Sequence, residues 1–582
     1  MQGARALVQV LAESGVKHVF GLPGDTGMSF YEALRDAQDD ITHIMTRDER
    51  SASFMADVYA RVSGRIGVCE GPSGGGATYI VPGVAEAHGS AIPLLCLTSD
   101  TPVNQHGRGV LTELDQETLF RPITKWNTRI NAASSVAETT RRAIRMTTSG
   151  RPGAVHFSLP TDTIEGETPD ESVYGIPAFA TVPALRTRPD AELIQQAADL
   201  LATAMRPVIV AGGGVLTSRA RDALTALAET LYIPVATSIN GKGSIAETSP
   251  VSLGVIGGNG ARPYANAELR AADLILSVGT RTDSTTRCHW TLPPLHRCPA
   301  TIHLDVEPWE IGNNYRLEVG LAGDARLSLQ DLLAAVDHPE RVAVRHRKRI
   351  AALGADRDQY WAEVEREAAI HHQPIKPAQV TRALRSALGD NVTIVADPGT
   401  PTPFLAAQFE VRQAGRTTVI PRAHGGLGYA IPGVVGAVFG DPSRRVVGMT
   451  GDGSFGMSVG ELETTTRYGL PVVIIQCSNG SFGWIKELQH LYHGDRYFSV
   501  DFNPVDSAAI ARGFGFRARQ VVDPSDVDHA IAEALDDGGP YFLDIVTESP
   551  VTETPPVAAW QMAEEERTRL QVQQHDRTAV RS

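Results

Sequence analysis

The sequence predicts an α/β protein with three doubly wound domains, each built on a parallel sheet. Its 582 residues exceed what one hydrophobic core usually holds, so length alone favours several domains. Short apolar runs that predict buried strands alternate with helical patterns along almost the whole chain, which is typical of parallel βαβ units. Two polar stretches interrupt this alternation and divide the chain into three blocks.

The first block, residues 1–165, is predicted to contain a helix at 52–63 among strands at 19–21, 41–45, 67–69, 94–98 and 155–159. A stretch with several Pro and Thr residues, 166–189, follows and is predicted to be a linker.

The second block, residues 190–338, opens with a helix at 191–205 and has strands at 207–211, 274–278 and 301–305. A charged linker helix, 339–370, leads to the third block, 371–549, with strands at 393–396, 445–449, 472–477 and 541–546. The first and third blocks are similar in length and character, which suggests a duplication. The polar tail, 550–582, is predicted to be a mobile arm or a lid.

Composition and charge exclude several classes of function. A net charge of −14 argues against nucleic-acid binding, because no basic stripe is available to displace counterions, and also against anionic membranes. No apolar run reaches 18 residues and no signal peptide is recognisable, so we expect a cytoplasmic protein. Five scattered cysteines without CxxC spacing fit a reducing compartment and predict no zinc site.

The strongest functional signal is a carboxylate and a carboxamide that follow two buried strands. Asp452 follows the strand at 445–449, and Asn479 comes 27 residues later, after the strand at 472–477. We expect Asp452, the Asn479 side-chain oxygen and the Ser481 carbonyl to bind Mg²⁺, with diphosphate oxygens completing an octahedron. The glycines beside Asp452 leave room for a phosphate to approach backbone N–H groups. A strand-end turn capped by Asp452 is the alternative.

This segment resembles the motif of thiamine-diphosphate-dependent enzymes, GDG followed by a terminal Asn. The resemblance implies a pyrimidine-binding domain, a central Rossmann-like domain and a diphosphate-binding domain. It also implies a glutamate in the first block that protonates N1′ of the aminopyrimidine, so that the cofactor becomes a nucleophile. Glu49, which opens the helix leading to Tyr59-Ala60-Arg61, matches that glutamate, although Asp48 stands where a His is more usual.

Other cofactor-binding residues follow from motifs that resemble those of the family. In His424–Gly433, the Gly426 carbonyl is expected to accept from the 4′-amino group, and Leu427 to bend the cofactor into a V. The remaining predicted residues lie in three further glycine-containing loops and around the metal site: Pro23, Ser73, Gly74, Thr400, Gly451, Gly453, Ser454 and Phe482.

Within this superfamily the chain resembles the group of acetolactate synthases, 2-hydroxyacyl-CoA lyases and benzaldehyde lyases. Residues 478–492 align without gaps to the synthase pattern. Leu488, however, stands where synthases usually carry a Trp in the acceptor pocket, and Arg281–Ser284 only partly resembles the stretch associated with flavin. We expect a 2-oxo-acid carboligase of acetolactate synthase type, with a 2-hydroxyacyl-CoA lyase as the alternative. FAD, ADP or the ADP part of coenzyme A is expected in the central domain beside Gly212–Gly214.

Three residues are candidates for contact with the substrate. Gln116 matches the active-site Gln of several carboligases and lyases, and its carboxamide could bond a substrate oxygen. Trp484 and Glu487 are spaced to share a helix face, where Trp484 could form a pocket wall and Glu487 could act as acid or base. A loop Gln, a core Trp and a surface salt bridge are the alternatives.

The resemblance also implies the partners. The substrate is expected to be a small 2-oxo acid or 2-hydroxyacyl compound. In relatives the glutamate and the metal site belong to different subunits, so we expect a homodimer or homotetramer with the active site between subunits. A cofactor-binding protein without catalysis is a further alternative, and Glu49 argues against it.

Overall fold

The structure is a computed structural model that describes the backbone of residues 1–579 and the side chains of residues 1–569. It contains three sheets of six strands each, and neighbouring strands pair in parallel throughout. Helices connect most successive strands, which confirms the predicted α/β class with three parallel sheets. Within the described residues no helix is long and apolar enough to cross a membrane.

The first sheet has the strand order β2-β1-β3-β4-β6-β5. Its strands are β1 His18–Gly21, β2 Thr42–Met45, β3 Gly67–Gly71, β4 Leu94–Asp100, β5 Trp126–Arg129 and β6 Ala154–Pro160. Its helices are α1 Gly3–Glu13, α2 Met28–Asp36, α3 Glu49–Ser63, α4 Gly75–Tyr79, α5 Val81–Gly89, α6 Gln116–Phe120, α7 Val136–Thr148 and α8 Thr161–Glu165. Residues 166–189 form no α-helix or strand.

The central sheet has the order β12-β11-β10-β7-β8-β9. Its strands are β7 Pro207–Ala211, β8 Val235–Thr237, β9 Ser252–Val255, β10 Leu274–Val278, β11 Ala300–Asp305 and β12 Val319–Ala322. Its helices are α9 Ala191–Thr203, α10 Gly213–Thr217, α11 Arg221–Leu231, α12 Pro263–Arg270 and α13 Ala325–Ala335, and α14 Pro339–Ala368 follows. Counted within the domain, this order is 6-5-4-1-2-3, the Rossmann arrangement.

The third sheet has the order β14-β13-β15-β16-β18-β17. Its strands are β13 Val392–Ala396, β14 Thr418–Val419, β15 Arg445–Gly451, β16 Val472–Ser478, β17 Arg517–Val521 and β18 Tyr541–Val546. Its helices are α15 Pro377–Ala387, α16 Pro401–Gln408, α17 Ala430–Gly440, α18 Asp452–Ser458, α19 Glu461–Arg467, α20 Gly483–His493, α21 Ser507–Gly513 and α22 Val527–Asp536, with α23 Ala558–Ala579 in the tail. Counted within each domain, the first and third sheets have the same order, 2-1-3-4-6-5, as a duplication predicts.

The tail beyond residue 549 contains one long helix. The sequence predicts a mobile arm or a lid there; α23 occupies most of this tail and packs on α20, with Trp560 buried. Residues 580–582 of the predicted tail lie outside the described residues.

The first and third domains share one hydrophobic core. Helix α3 packs along α17, and Phe54 meets Tyr429 with ring centroids 5.1 Å apart. The start of α3 is fixed by Asp48, whose side chain accepts from the Arg50 N–H, and its end by Gly64 in the left-handed region at φ 68°. This packing brings residues about 375 positions apart in sequence into contact.

Candidate active site

Asp452 and Asn479 lie side by side at the carboxyl edge of the third sheet. Strands β15 and β16 pair in parallel with Gly451 opposite Cys477, so the two strands end at the same level of the sheet. The Asp452 carboxylate accepts from the backbone N–H groups of Gly453 at 2.9 Å, Asn479 at 2.8 Å and Gly480 at 2.7 Å. Burial raises the pKa of Asp452, and these three amides act in the opposite direction.

The oxygens at this edge fit a hard cation. A carboxylate offers about four lone pairs, so three backbone donors leave Asp452 with capacity for a metal. The Asn479 side-chain oxygen accepts from the Ser481 hydroxyl at 2.9 Å and from the Ser481 N–H at 3.2 Å. Rotation of that hydroxyl would free one lone pair of the Asn479 oxygen for a metal ion. One carboxylate and neutral oxygens form a donor set that suits Mg²⁺.

Phe482 closes one side of this edge. A Cβ at Gly453 would lie 2.8 Å from the Phe482 ring, so only glycine fits between the carboxylate and that ring.

Asp397 lies at the end of the neighbouring strand β13, and one oxygen of its buried carboxylate has no hydrogen-bond partner among the described residues. Burial raises its pKa to about 6. Thr400 follows three residues later, directly before α16.

Glu49 is the first residue of α3 and is buried in a space formed by two glycines. A Cβ at Gly76 would lie 3.0 Å from the Glu49 carboxylate, and one at Gly71 would lie 3.3 Å from its Cγ. Burial raises the pKa of Glu49, and the nearby carboxylates of Asp48 and Glu70 add to the shift. No side chain in the described part of the molecule hydrogen-bonds the Glu49 carboxyl, so its oxygens are available to a ligand.

The chain brings the start of α3 against the helices that follow Asp452. The backbone N–H of Arg47 donates to the Glu461 carboxylate at 2.9 Å, and the Arg50 guanidinium donates to the Met457 carbonyl. A Cβ at Gly426 would lie 3.1 Å from the Phe54 ring of α3. The predicted acid and the predicted pyrimidine-contacting segment therefore approach each other within one chain.

Glu86 holds that segment in place, and sequence reasoning missed it. Its carboxylate is 0% exposed and accepts from four consecutive backbone N–H groups, residues 422–425, at 2.7–3.3 Å. It also pairs with Arg61 at 3.1 Å, and Arg61 pairs with Asp57 at 2.8 Å. Asp57 in turn accepts from the Tyr429 hydroxyl. A glutamate inside the otherwise apolar helix α5 was the available signal.

The remaining loop residues lie where the first sheet ends. Ser73 is buried and bonds the hydroxyls of Thr26 at 3.1 Å and Thr112 at 2.7 Å. Gly74 has φ 64°, and a Cβ there would lie 2.8 Å from Thr112. Pro23 is exposed at the preceding turn, and Leu427 is half-buried beside Gly426.

Gln116, a candidate for contact with the substrate, hydrogen-bonds protein groups at both ends of its carboxamide in this structure. Its side chain is buried, its oxygen accepts from the Thr98 hydroxyl and its amide nitrogen donates to the Ser99 carbonyl at 2.8 Å. Both ends of the carboxamide are thus used to join α6 to β4.

Trp484 and Glu487 share a face of α20, as predicted, but that face lies under α23. Trp484 meets Trp560 with ring centroids 4.3 Å apart. Glu487 is buried, and its burial together with nearby Glu564 raises its pKa to about 7. In this arrangement both residues contact the tail, so a direct role at the substrate requires α23 to move.

A cleft lies at the switch point of the central sheet, between the ends of β7 and β10. It has a volume of about 150 Å³. In Rossmann-type sheets, ligands bind at this position. A Cβ at Gly214 would lie 2.7 Å from Gly279, so the two backbones approach closely there. The charged lining residues include Arg151, Arg281, Arg422, Asp305 and Asp324.

Comparison with known proteins gives matches along the chain. Family models match residues 1–119 as the N-terminal TPP binding domain of thiamine pyrophosphate enzymes, 194–332 as their central domain and 397–545 as their C-terminal TPP binding domain. A protein of Methanocaldococcus jannaschii described as "Probable acetolactate synthase large subunit" is 35% identical, over 94% of this chain and 92% of that protein. The acetolactate synthase of Arthrospira platensis is 31% identical over 93% of both chains, and that of Mycobacterium bovis 30% identical over 96% and 90%.

Proposed function

The chain belongs to the family of thiamine pyrophosphate enzymes and is an acetolactate synthase-like carboligase, and on that premise we propose that it joins two 2-oxo acids, with pyruvate as donor. One pyruvate loses its carboxylate as carbon dioxide, and its remaining two-carbon unit forms a C–C bond with the keto carbon of the second. The observation that carries this proposal is the hydrogen-bonded Asp452–Asn479 edge, combined with similarity to acetolactate synthases along 94% of the chain.

The cofactor thiamine diphosphate, when bound, supplies the electron sink that lets a 2-oxo acid lose its carboxylate. Asp452, Asn479 and the Ser481 carbonyl would hold Mg²⁺, which neutralises the diphosphate. Backbone groups of Gly451, Gly453 and Ser454, with Thr400, would bind the phosphate oxygens. The unused acceptor capacity of Asp452 supports this assignment.

Glu49 would hold a proton at its carboxyl and share it with the aminopyrimidine ring. Its burial and raised pKa support this role, because a carboxyl kept protonated can donate a hydrogen bond. The Gly426 carbonyl would accept from the amino group of that ring, and Leu427 would support its bend. Glu86 would fix the segment that carries both of these residues.

Activity with pyruvate tests the proposal. Purified enzyme with Mg²⁺ and thiamine diphosphate is expected to convert pyruvate to acetolactate and carbon dioxide. Glu49→Gln should keep cofactor binding and lose turnover, whereas the exposed substitution Glu192→Gln should retain both. Formation of neither product would refute the carboligase, and cleavage of a 2-hydroxyacyl-CoA to formyl-CoA would favour the lyase alternative.

We also propose a homodimer or homotetramer with active sites between subunits. Exposed apolar side chains beside the site support it, namely Ile485, Tyr492 and Phe498, the last 82% exposed. Mixing Glu49→Gln with Asp452→Asn, at Mg²⁺ and thiamine diphosphate concentrations too low for Asp452→Asn to be active, tests this arrangement. Sites formed between subunits would regain part of the activity, because one site of each mixed dimer is then unmodified, and sites formed within one chain would not.

The central cleft is proposed to bind a nucleotide, either FAD, ADP or the ADP part of coenzyme A. Its place at the Rossmann switch point and its three arginines support a ligand with phosphates. Absorbance of the purified protein near the flavin bands and mass spectrometry of the released ligand would distinguish the three. A protein with none of them, and no binding of added ADP, would contradict the assignment.

A further inference from the structure

A second cavity lies where the three domains meet, and it shares Val182 and Thr217 with the lining of the central cleft. It has a volume of about 360 Å³, an order of magnitude more than the roughly 30 Å³ occupied by one water molecule in the liquid. Its walls come from the end of α3, the segment around α10 and α11, and the loops at 390–391, 413–417 and 441–444. A ligand in this cavity would therefore contact all three domains at once.

Arginines dominate the lining of this cavity, although the protein as a whole is acidic at −14. Five of them line it: Arg61, Arg219, Arg221, Arg416 and Arg444. The acidic lining residues are only two, Asp390 and Asp441. Arg61 is already neutralised by Asp57 and Glu86, whereas the other four retain an excess of positive charge.

Arg416 is the best evidence for a ligand. Its side chain is half-buried, yet its guanidinium has no hydrogen-bond or ion-pair partner among the side chains that the structure describes. Burial and the nearby positive charge of Arg61 lower the pKa of Arg416 to about 10. No protein group in the described residues uses the five N–H donors of this guanidinium, so they are available to an anion in the cavity.

Two of the other arginines hydrogen-bond the backbone of the loop that carries Arg416. Arg444 donates to the Arg416 carbonyl at 2.8 Å, and Arg221 donates to the carbonyl of Ala414. Arg219 lies opposite, with a guanidinium nitrogen 3.2 Å from where a Cβ at Gly64 would be. Like Arg416, Arg219 has no carboxylate within ion-pair distance in the described part of the chain.

We propose that this cavity binds a phosphorylated small molecule whose phosphoryl group is held by Arg416 and Arg219. Planar guanidinium forks match the oxygens of a phosphoryl group, and bidentate pairing makes such contacts strong. The size of the cavity leaves room for an organic group beyond the phosphate. Because the ligand would join three domains, its binding stabilises the folded chain.

The test uses the holoenzyme saturated with Mg²⁺ and thiamine diphosphate, so that the diphosphate site is filled. Ribose 5-phosphate, inorganic phosphate and unphosphorylated ribose are titrated by calorimetry and by thermal unfolding. We expect ribose 5-phosphate to bind and raise the Tm, and ribose to do neither. If inorganic phosphate binds as tightly as ribose 5-phosphate, the ligand of this cavity is the free anion. If inorganic phosphate binds more weakly, the ligand is a phosphate monoester.

Variants separate this site from other anion sites. Arg416→Gln and Arg219→Gln should each weaken binding at least about tenfold, since each removes a charge-assisted contact. Arg142→Gln, an exposed position on α7, should leave it unchanged. Arg416→Gln should also unfold at the same or higher temperature without ligand, because it removes an unpaired charge. Unchanged affinity in Arg416→Gln or in exposed Arg219→Gln, or no binding to the wild type at millimolar concentrations, would overturn the proposal.

Discussion

Replacing Glu86 by glutamine should loosen the segment that contacts the cofactor. The Glu86 carboxylate is buried, pairs with Arg61 at 3.1 Å and accepts from four backbone N–H groups of residues 422–425. Glutamine removes the charge and turns an NH₂ group toward those donors. Breaking a buried ion pair by changing one partner costs about 3–5 kcal/mol, so we expect the free energy of unfolding to fall by about that amount.

The same change should weaken thiamine diphosphate binding at least about tenfold, which corresponds to about 1.4 kcal/mol. The expected cause is that Gly426 and Leu427 follow directly after the residues that Glu86 holds. Burial disfavours the charged form of Glu86, but Arg61, Ser90 and the backbone amides outweigh it, so its pKa is lowered. Its contribution to stability is therefore complete above the unfolded pKa of about 4.3 and is lost as the pH falls through the folded pKa.

Urea unfolding at pH 7 and at a series of acidic pH values would measure this effect, with cofactor titration in parallel. Glu192→Gln is the matched control, since that residue is exposed on α9. The difference in unfolding free energy between wild type and Glu86→Gln should stay constant down to about pH 4.3 and narrow only as the pH falls further. A gap below about 1 kcal/mol at pH 7 with unchanged cofactor affinity would refute the reasoning, because so small a loss is that of an ordinary neutral hydrogen bond.

Three further predictions follow from other contacts. Asp452→Asn should raise the Mg²⁺ and thiamine diphosphate concentrations needed for activity at least about tenfold, as measured by reconstitution of the apoenzyme, because it removes the one carboxylate of the cation site. Glu247→Gln should lower the free energy of unfolding by about 3–5 kcal/mol, since fully buried Glu247 pairs with Lys242 at 2.7 Å and Arg262 at 2.8 Å. Glu487→Gln should be more stable than the wild type above pH 7: burial raises the folded pKa from 4.5 to about 7, so the wild type loses stability across that interval. Thermal unfolding between pH 5 and about pH 8 would measure that gap.

Each of these has a result that would contradict it. An Asp452→Asn enzyme that reconstitutes at wild-type Mg²⁺ concentrations would place the cation elsewhere. A Glu247→Gln protein as stable as the wild type would mean that water or a rearranged Lys242 replaces the lost charge. A Glu487→Gln protein whose Tm tracks the wild type at every pH would show that Glu487 is not buried in solution.

The sequence by itself determined the interior strands and the residues at their ends. Strands β7, β10 and β18 begin and end where the apolar runs predicted, because strands buried on both faces are apolar at nearly every position. The strands that were missed are nearly all at sheet edges, such as β5 and β17, whose half-buried, polar residues lack that pattern. Asp452 and Asn479 could be placed together because consecutive parallel strands leave a sheet at the same edge.

Only the tertiary structure decided which distant side chains act together. The local sequence shows that Glu86 is a charged residue in a largely apolar helix. It does not show that the partners of Glu86 are backbone groups over 330 positions away. The sequence makes Gln116 and Glu487 candidates for contact with the substrate. The packing of α6 on β4 buries Gln116, and the packing of α23 on α20 buries Glu487. The local sequence pattern predicts how much of a segment is buried. Which distant residues pack against that segment depends on how α3 and α17 join the first and third domains.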